Sequence, residues 1–208
     1  MKITAEKLYK LLLKEKDLLT FQNIIQLNNG KTIIMDTKDN IGNIIQRIVQ
    51  EFMDDNNIEY DTEENTQLPP DFYLDKPNDC LEIKAFNYDA RAGFDVANFE
   101  TYINEIIQKP YLLYSKYMVF GYRMINKEIV IQNIWLKNVW ELCCAMTEKP
   151  LNCQYKRKVV YNIRPHSFKN GKFPPFACIE DFISAVYETI QINFPSKYPN
   201  WKNDFKKA

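Results

Sequence analysis

The stretch "DFYLDKPNDCLEIKAF", Asp71 to Phe86, constrains the fold more than any other part of the chain. Two short apolar runs flank the turn-forming "KPND", which reads as a hairpin of two strands. Side chains alternate along a strand, so Leu81, Ile83 and Ala85 take one face while Glu82 and Lys84 share the other. With Asp71 at the mouth of the first strand, three charged groups converge on one side of a two-stranded ribbon. "CLEIKAF" otherwise has the composition of an interior strand, where charges without partners are costly.

The rest of the sequence builds a mixed α/β (α+β) chain around this hairpin. Thr4 is placed to cap a helix over Ala5 to Lys14, with Leu8, Leu11, Leu12 and Leu13 as its apolar face. "NNGKTIIMD" reads as a turn with a short strand. Asp39 or Asn40 then caps a second helix through Asn56, in which Ile41, Ile44, Ile45, Ile48, Val49 and Phe52 recur at helical spacing. A third helix is expected over Val96 to Gln108, with Asp95 as N-cap and Pro110 beyond its end. "KYMVFGYRM" and "EIVIQNIWL" form a hairpin across "INK", and a helix is expected from Leu136 to Met146. "KVVYNIRP" is a strand and "CIEDFISAVYETI" a closing helix. These elements suit a single domain over residues 1–208, a central mixed sheet flanked by helices, and 208 residues at 46% hydrophobic suffice for one substantial core.

The 27 basic and 27 acidic residues cancel, so no global field marks a polyanionic partner, although local patches remain. Gln154 to Phe173 is rich in Lys and Arg and holds no acid. No apolar run approaches the roughly 20 residues of a membrane helix, and the charged, leucine-rich start is no signal peptide, so a cytoplasmic protein is expected. Five cysteines without paired metal-ligand spacing read as reduced, buried side chains. A single histidine, His166, argues against Ser-His or Cys-His catalysis.

Asp71 and Glu82 brought within a few ångströms repel unless a cation lies between them. A hard divalent ion suits oxygen donors, and Mg²⁺ takes few protein carboxylates, with Mn²⁺ able to substitute. The Ile83 backbone carbonyl offers a further oxygen. Lys84 stands beside them to orient and help deprotonate a water for in-line attack on a phosphodiester.

Pro70-Asp71 followed after ten residues by Glu82-Ile83-Lys84 resembles the signature of the PD-(D/E)xK nuclease superfamily, here on consecutive strands with a helix before and a helix after. Size and layout are most similar to a bacterial type II restriction endonuclease. That resemblance implies a restriction-endonuclease-like core over about residues 40–135, with DNA-contacting and closing elements over about 136–208. It implies site-specific hydrolysis of double-stranded DNA, a homodimer suited to two-fold sites and a companion DNA methyltransferase. A further acid usually comes from the preceding helix, and here either Gln46 or Glu51 takes that place; they lie about 140° apart round a helix, so both cannot face one ion. Candidate DNA contacts are Asn87, Asp89 and Arg91 after the lysine, and Arg164, His166, Lys169 and Lys172 around a turn at Asn170-Gly171. Lys156, Arg157 and Lys158 suit phosphate steering. A structure-selective repair nuclease on the same core and a non-catalytic DNA-binding protein are the alternative readings.

Overall fold

The computed structural model describes residues 1–22, 24–34, 38–65, 68–168 and 172–207, with the side chains at 38 and 39 left aside. In chain order the elements are α1 (Ala5–Lys14), β1 (Phe21–Gln22), β2 (Ile24–Gln26), β3 (Thr32–Ile34), α2 (Lys38–Asp55), β4 (Phe72–Asp75) and β5 (Asp79–Asn87). They continue with β6 (Ala97–Asn98), α3 (Phe99–Gln108), β7 (Lys116–Ile125), β8 (Glu128–Asn138), α4 (Val139–Leu142), β9 (Cys153–Lys156), β10 (Val159–Ile163), α5 (Ile179–Asn193) and α6 (Trp201–Lys207). This is a mixed α+β architecture, and the chain packs as two compact units.

The first unit comprises Met1–Arg91 and Lys116–Leu136. Its sheet has the order β1-β8-β7-β5-β4, with β5 antiparallel to β4 and parallel to β7. Leu8 and Leu12 of α1, and Ile41, Ile45, Val49 and Met53 of α2, bury against Leu81, Ile83, Met118, Phe120 and Tyr122 of the sheet. The alternation expected of β5 is therefore real: its odd positions from 81 to 83 join the core and its even positions turn away. The Thr4 hydroxyl caps α1 by accepting from the Lys7 N–H. The second helix starts at Lys38 and ends at Asp55, so Asp39 and Asn40 lie inside its first turn and not at its cap. β2 and β3 form a separate two-stranded hairpin.

The second unit comprises Ala92–Ser115 and Lys137–Ala208. Its three-stranded sheet has the order β6-β10-β9, and α3 packs on β10. The expected start of α3 at Val96 gives way to extended chain: the Val96 N–H donates to Ile163 O, and Ala97 and Asn98 pair with Ile163 and Asn162. Asn98 rather than Asp95 caps the helix, accepting from the Thr101 N–H at 3.1 Å. The expected helix from Leu136 to Met146 shrinks to α4. Leu136 to Asn138 continue β8, and Asn138 and Glu141 cap each other reciprocally. Beyond Leu142 the carbonyls that would extend the helix accept from distant chain instead: Leu142 O from His166, Cys143 O from Phe176 and Cys144 O from Asn152.

All five cysteines are free thiols, four of them buried, and burial pushes the Cys153 thiol up to about 12. Among the described residues, no helix is long and apolar enough to cross a membrane.

Candidate active site

The site rests on the register of β4 and β5. Phe72 pairs with Leu81 and Tyr73 with Cys80, so one step further Asp71 stands opposite Glu82, on the face turned away from the helices. The contacts follow from that placement. Asp71 N–H donates to Glu82 Oε2 at 3.2 Å, Asp71 Oδ2 accepts from Ile83 N–H at 2.6 Å, and Lys84 Nζ donates to Glu82 Oε1 at 2.7 Å. The expected triad thus comes together in one hydrogen-bonded group. A strand residue sends its N–H and C=O to the same edge. The Ile83 carbonyl therefore faces the edge where Asp71 lies, just past the last β4 pair.

Glu82 is only 8% exposed. The Asp71 carboxyl is withdrawn from water although the residue as a whole is partly covered. That burial, with the Glu82 charge second, pushes Asp71 up to about 7, against the opposing pull of Lys84 and the Ile83 N–H. Two hard carboxylates this crowded, one of them resisting ionisation, form a donor set that a divalent cation fits and relieves.

The acid expected from α2 does not join them. Glu51 is exposed and pairs with Arg47 at 2.5 Å, and Gln46 is half-buried. Among the described residues, no three His, Cys, Asp or Glu side chains are grouped to hold an ion. Two protein carboxylates are nonetheless a usual complement for Mg²⁺, which keeps several waters.

The candidate DNA contacts divide into groups. In the first unit, Asn87 Oδ1 accepts from Asp89 N–H in a local turn, and Arg91 is exposed. Asp89 accepts from Arg123 Nε at 2.9 Å. Arg123 was not among the expected contacts; its alternation out of "KYMVFGYRM", on the face opposite Phe120 and Tyr122, was the available signal. In the second unit, Arg164 is engaged on three sides, by Asp95 at 3.1 Å, Gln154 at 2.8 Å and the Gly93 carbonyl. These bonds tie Arg164 to the segment before β6. His166 stacks on Phe168 at 4.9 Å, and burial holds its pKa below the usual value. Lys172 is exposed, while Lys169 and the Asn170-Gly171 turn lie outside the described residues.

Fold and site together have the layout of a restriction endonuclease. Residues 2–208 match the NgoBV restriction endonuclease family, and the chain belongs to it. It is thereby a restriction endonuclease, a site-specific DNA-cleaving hydrolase. The chain is 40% identical over 218 residues to the type II restriction enzyme NlaIV of Neisseria lactamica, covering 100% of this chain and 90% of that protein. It is 36% identical over 162 residues to the type II restriction enzyme NgoBV of Neisseria gonorrhoeae, covering 76% of this chain and 92% of that one. The solved NlaIV restriction endonuclease superposes with a TM-score of 0.88 at 38% identity, over 100% of this chain and 88% of the other.

Proposed function

We propose that this chain is a Mg²⁺-dependent type II enzyme that hydrolyses phosphodiester bonds in double-stranded DNA at a specific sequence, with Asp71, Glu82 and Lys84 as its catalytic residues. The observation that carries this assignment is their convergence: three residues joined on one face of the hairpin by hydrogen bonds of 2.6 to 3.2 Å, one between the Lys84 and Glu82 side chains and two from the Asp71 and Ile83 backbone N–H groups to the carboxylates. Asp71, Glu82 and the Ile83 carbonyl hold the divalent ion, and Mn²⁺ fills the same place. When bound, the ion neutralises charge on the reacting phosphate and lowers the pKa of water. Lys84, positioned by Glu82, orients the attacking water and faces the charge that builds on the phosphate. Asp71 is kept in place by the Ile83 N–H, so the carboxylate is set before substrate arrives.

The whole chain acts as one nuclease domain in the cytoplasm and as a homodimer, one active site for each strand of a two-fold DNA site, with a companion methyltransferase that protects the same sequence. Asn87, Arg91 and Lys172 are its candidate DNA contacts.

Digestion of a mixed-sequence plasmid by purified protein, with Mg²⁺ and with EDTA, tests the assignment. Discrete fragments are expected from the wild type with Mg²⁺ alone. Lys84→Ala should lose at least about 10²-fold in cleavage while still binding duplex. A smear in place of fragments points to a structure-selective nuclease, and no cleavage by folded wild type overturns the enzymatic reading.

A further inference from the structure

The β9–β10 hairpin departs from ordinary hairpin chemistry in three ways at its tip. Its two-residue turn, Arg157-Lys158, has both residues in the left-handed region, at φ 51° and 68°. Such a turn favours Asn-Gly, which reaches these angles with little strain. The β7–β8 turn at least places Asn126 first, before Lys127, at φ 49° and 71°. Here two long basic residues occupy both positions instead.

Next to the turn, the pairing shifts between Val160 and Asn162, so Tyr161 is the extra residue of a bulge and is turned outward at 39% exposure. A bulge re-aims a side chain and sharpens the local twist. Lys156 Nζ then sits 3.5 Å from the Tyr161 ring centroid, which holds the ammonium at the tip instead of leaving it to sweep through solvent. Beside it, Val159 is 48% exposed. From Lys149 to Ile179 the sequence contains no acid, so no carboxylate on the hairpin neutralises this charge.

A hairpin built for stability alone would place none of these here. Each departure puts positive charge or a π-face at one end of a two-stranded ribbon, a shape that the major groove admits. We propose that the Lys156–Val159 tip, with Tyr161, is a DNA grip that seats in a groove of duplex DNA and holds the phosphates on its flanks through Arg157 and Lys158. The proposal rests on the reading of this chain as a DNA endonuclease. Its residues are other than those of the Asp71–Lys84 site and of the segment around Asn87 and Arg91.

The test uses the full chain in EDTA, where binding is read without cleavage, on a fluorescent mixed-sequence duplex titrated in increasing KCl. The double variant Arg157→Asn, Lys158→Gly installs the residues this turn prefers, so it should unfold at the same or a higher temperature than wild type. It should bind more weakly, with a log-affinity against log-salt slope shallower by roughly two. The wild-type-to-variant affinity ratio should therefore fall about tenfold between 50 and 200 mM salt. Tyr161→Leu should weaken binding less and leave the slope nearly unchanged. A folded double variant with wild-type affinity and slope overturns the grip. If wild type neither binds nor cleaves any duplex, the endonuclease reading fails with it. If wild type cleaves and only the variant's slope is unchanged, the grip alone fails.

Discussion

Replacing Asp71 by Asn should make the metal-free protein more stable at pH 8. Asp71 rises from an ordinary 3.8 to about 7, chiefly through burial and secondly through the Glu82 charge. The folded chain holds that proton more tightly than the unfolded chain, so stability falls as pH rises from about 4 to about 7, and the cost is complete above that. At about 1.4 kcal/mol per tenfold, the rise corresponds to on the order of 4 kcal/mol. Glu82 shares the repulsion, so removing the Asp71 charge should recover about 2–4 kcal/mol. Asn keeps an oxygen able to accept from the Ile83 N–H, so the geometry survives the change. For a chain of this size the gain is roughly 4–16 °C in midpoint, read by circular dichroism during heating in EDTA. The advantage should shrink toward pH 5, where the wild type is already protonated. Added Mg²⁺ should raise the wild-type midpoint and leave Asp71→Asn unmoved, because only the former keeps both carboxylates. A variant no more stable than wild type at pH 8 would refute the claim that Asp71 and Glu82 store a repulsion that Lys84 only partly offsets.

Two further outcomes follow from packing. A Cβ at Gly121 would lie 2.9 Å from the Tyr88 ring and 3.0 Å from Trp135, so Gly121→Ala must displace these rings and should destabilise by about 1–3 kcal/mol, read as a fall in midpoint. Arg164→Met loses the bonds to Asp95, Gln154 and the Gly93 carbonyl and should cost about 1.5–3 kcal/mol in chemical denaturation. Arg164→Lys should recover less than half of that, because an ammonium does not reproduce the three-sided fork; full recovery would show that charge alone was needed.

What the sequence made legible is local. The hairpin of β4 and β5 was readable because a turn separates two short apolar runs, and the shared face of Glu82 and Lys84 follows from period-two alternation; Asp71 comes opposite Glu82 only because the pairing shifts by one residue between Tyr73 and Asp75, which the sequence did not show. The same holds for α1, whose Thr4 cap and leucine face lie within ten residues. What was not readable depends on partners far along the chain. Val96 to Asn98 look like a helix start until Ile163 and Asn162 claim their backbone groups. α6 was missed because "WKNDFKK" is mostly polar; its anchor is Trp201, buried with its indole N–H on Ile103 O at 2.8 Å, 98 residues away. Asp89 with Arg123, and Arg164 with Gly93, lie 34 and 71 residues apart, so composition gave no sign of these internal ties.

The parallel pairing of β5 with β7 places two demands on the chain. A one-residue slip in the register of β5 would turn Glu82 and Lys84 into the core and Leu81 and Ile83 out of it, so the strand proposed to carry hydrolysis is held to one register. Parallel neighbours, by contrast, demand a long connection, and here residues 88–115 supply it, carrying β6 and α3. The strand that carries Glu82 and Lys84 is thus bound to one register, and the chain leaves it for a whole strand-and-helix excursion before its parallel neighbour begins.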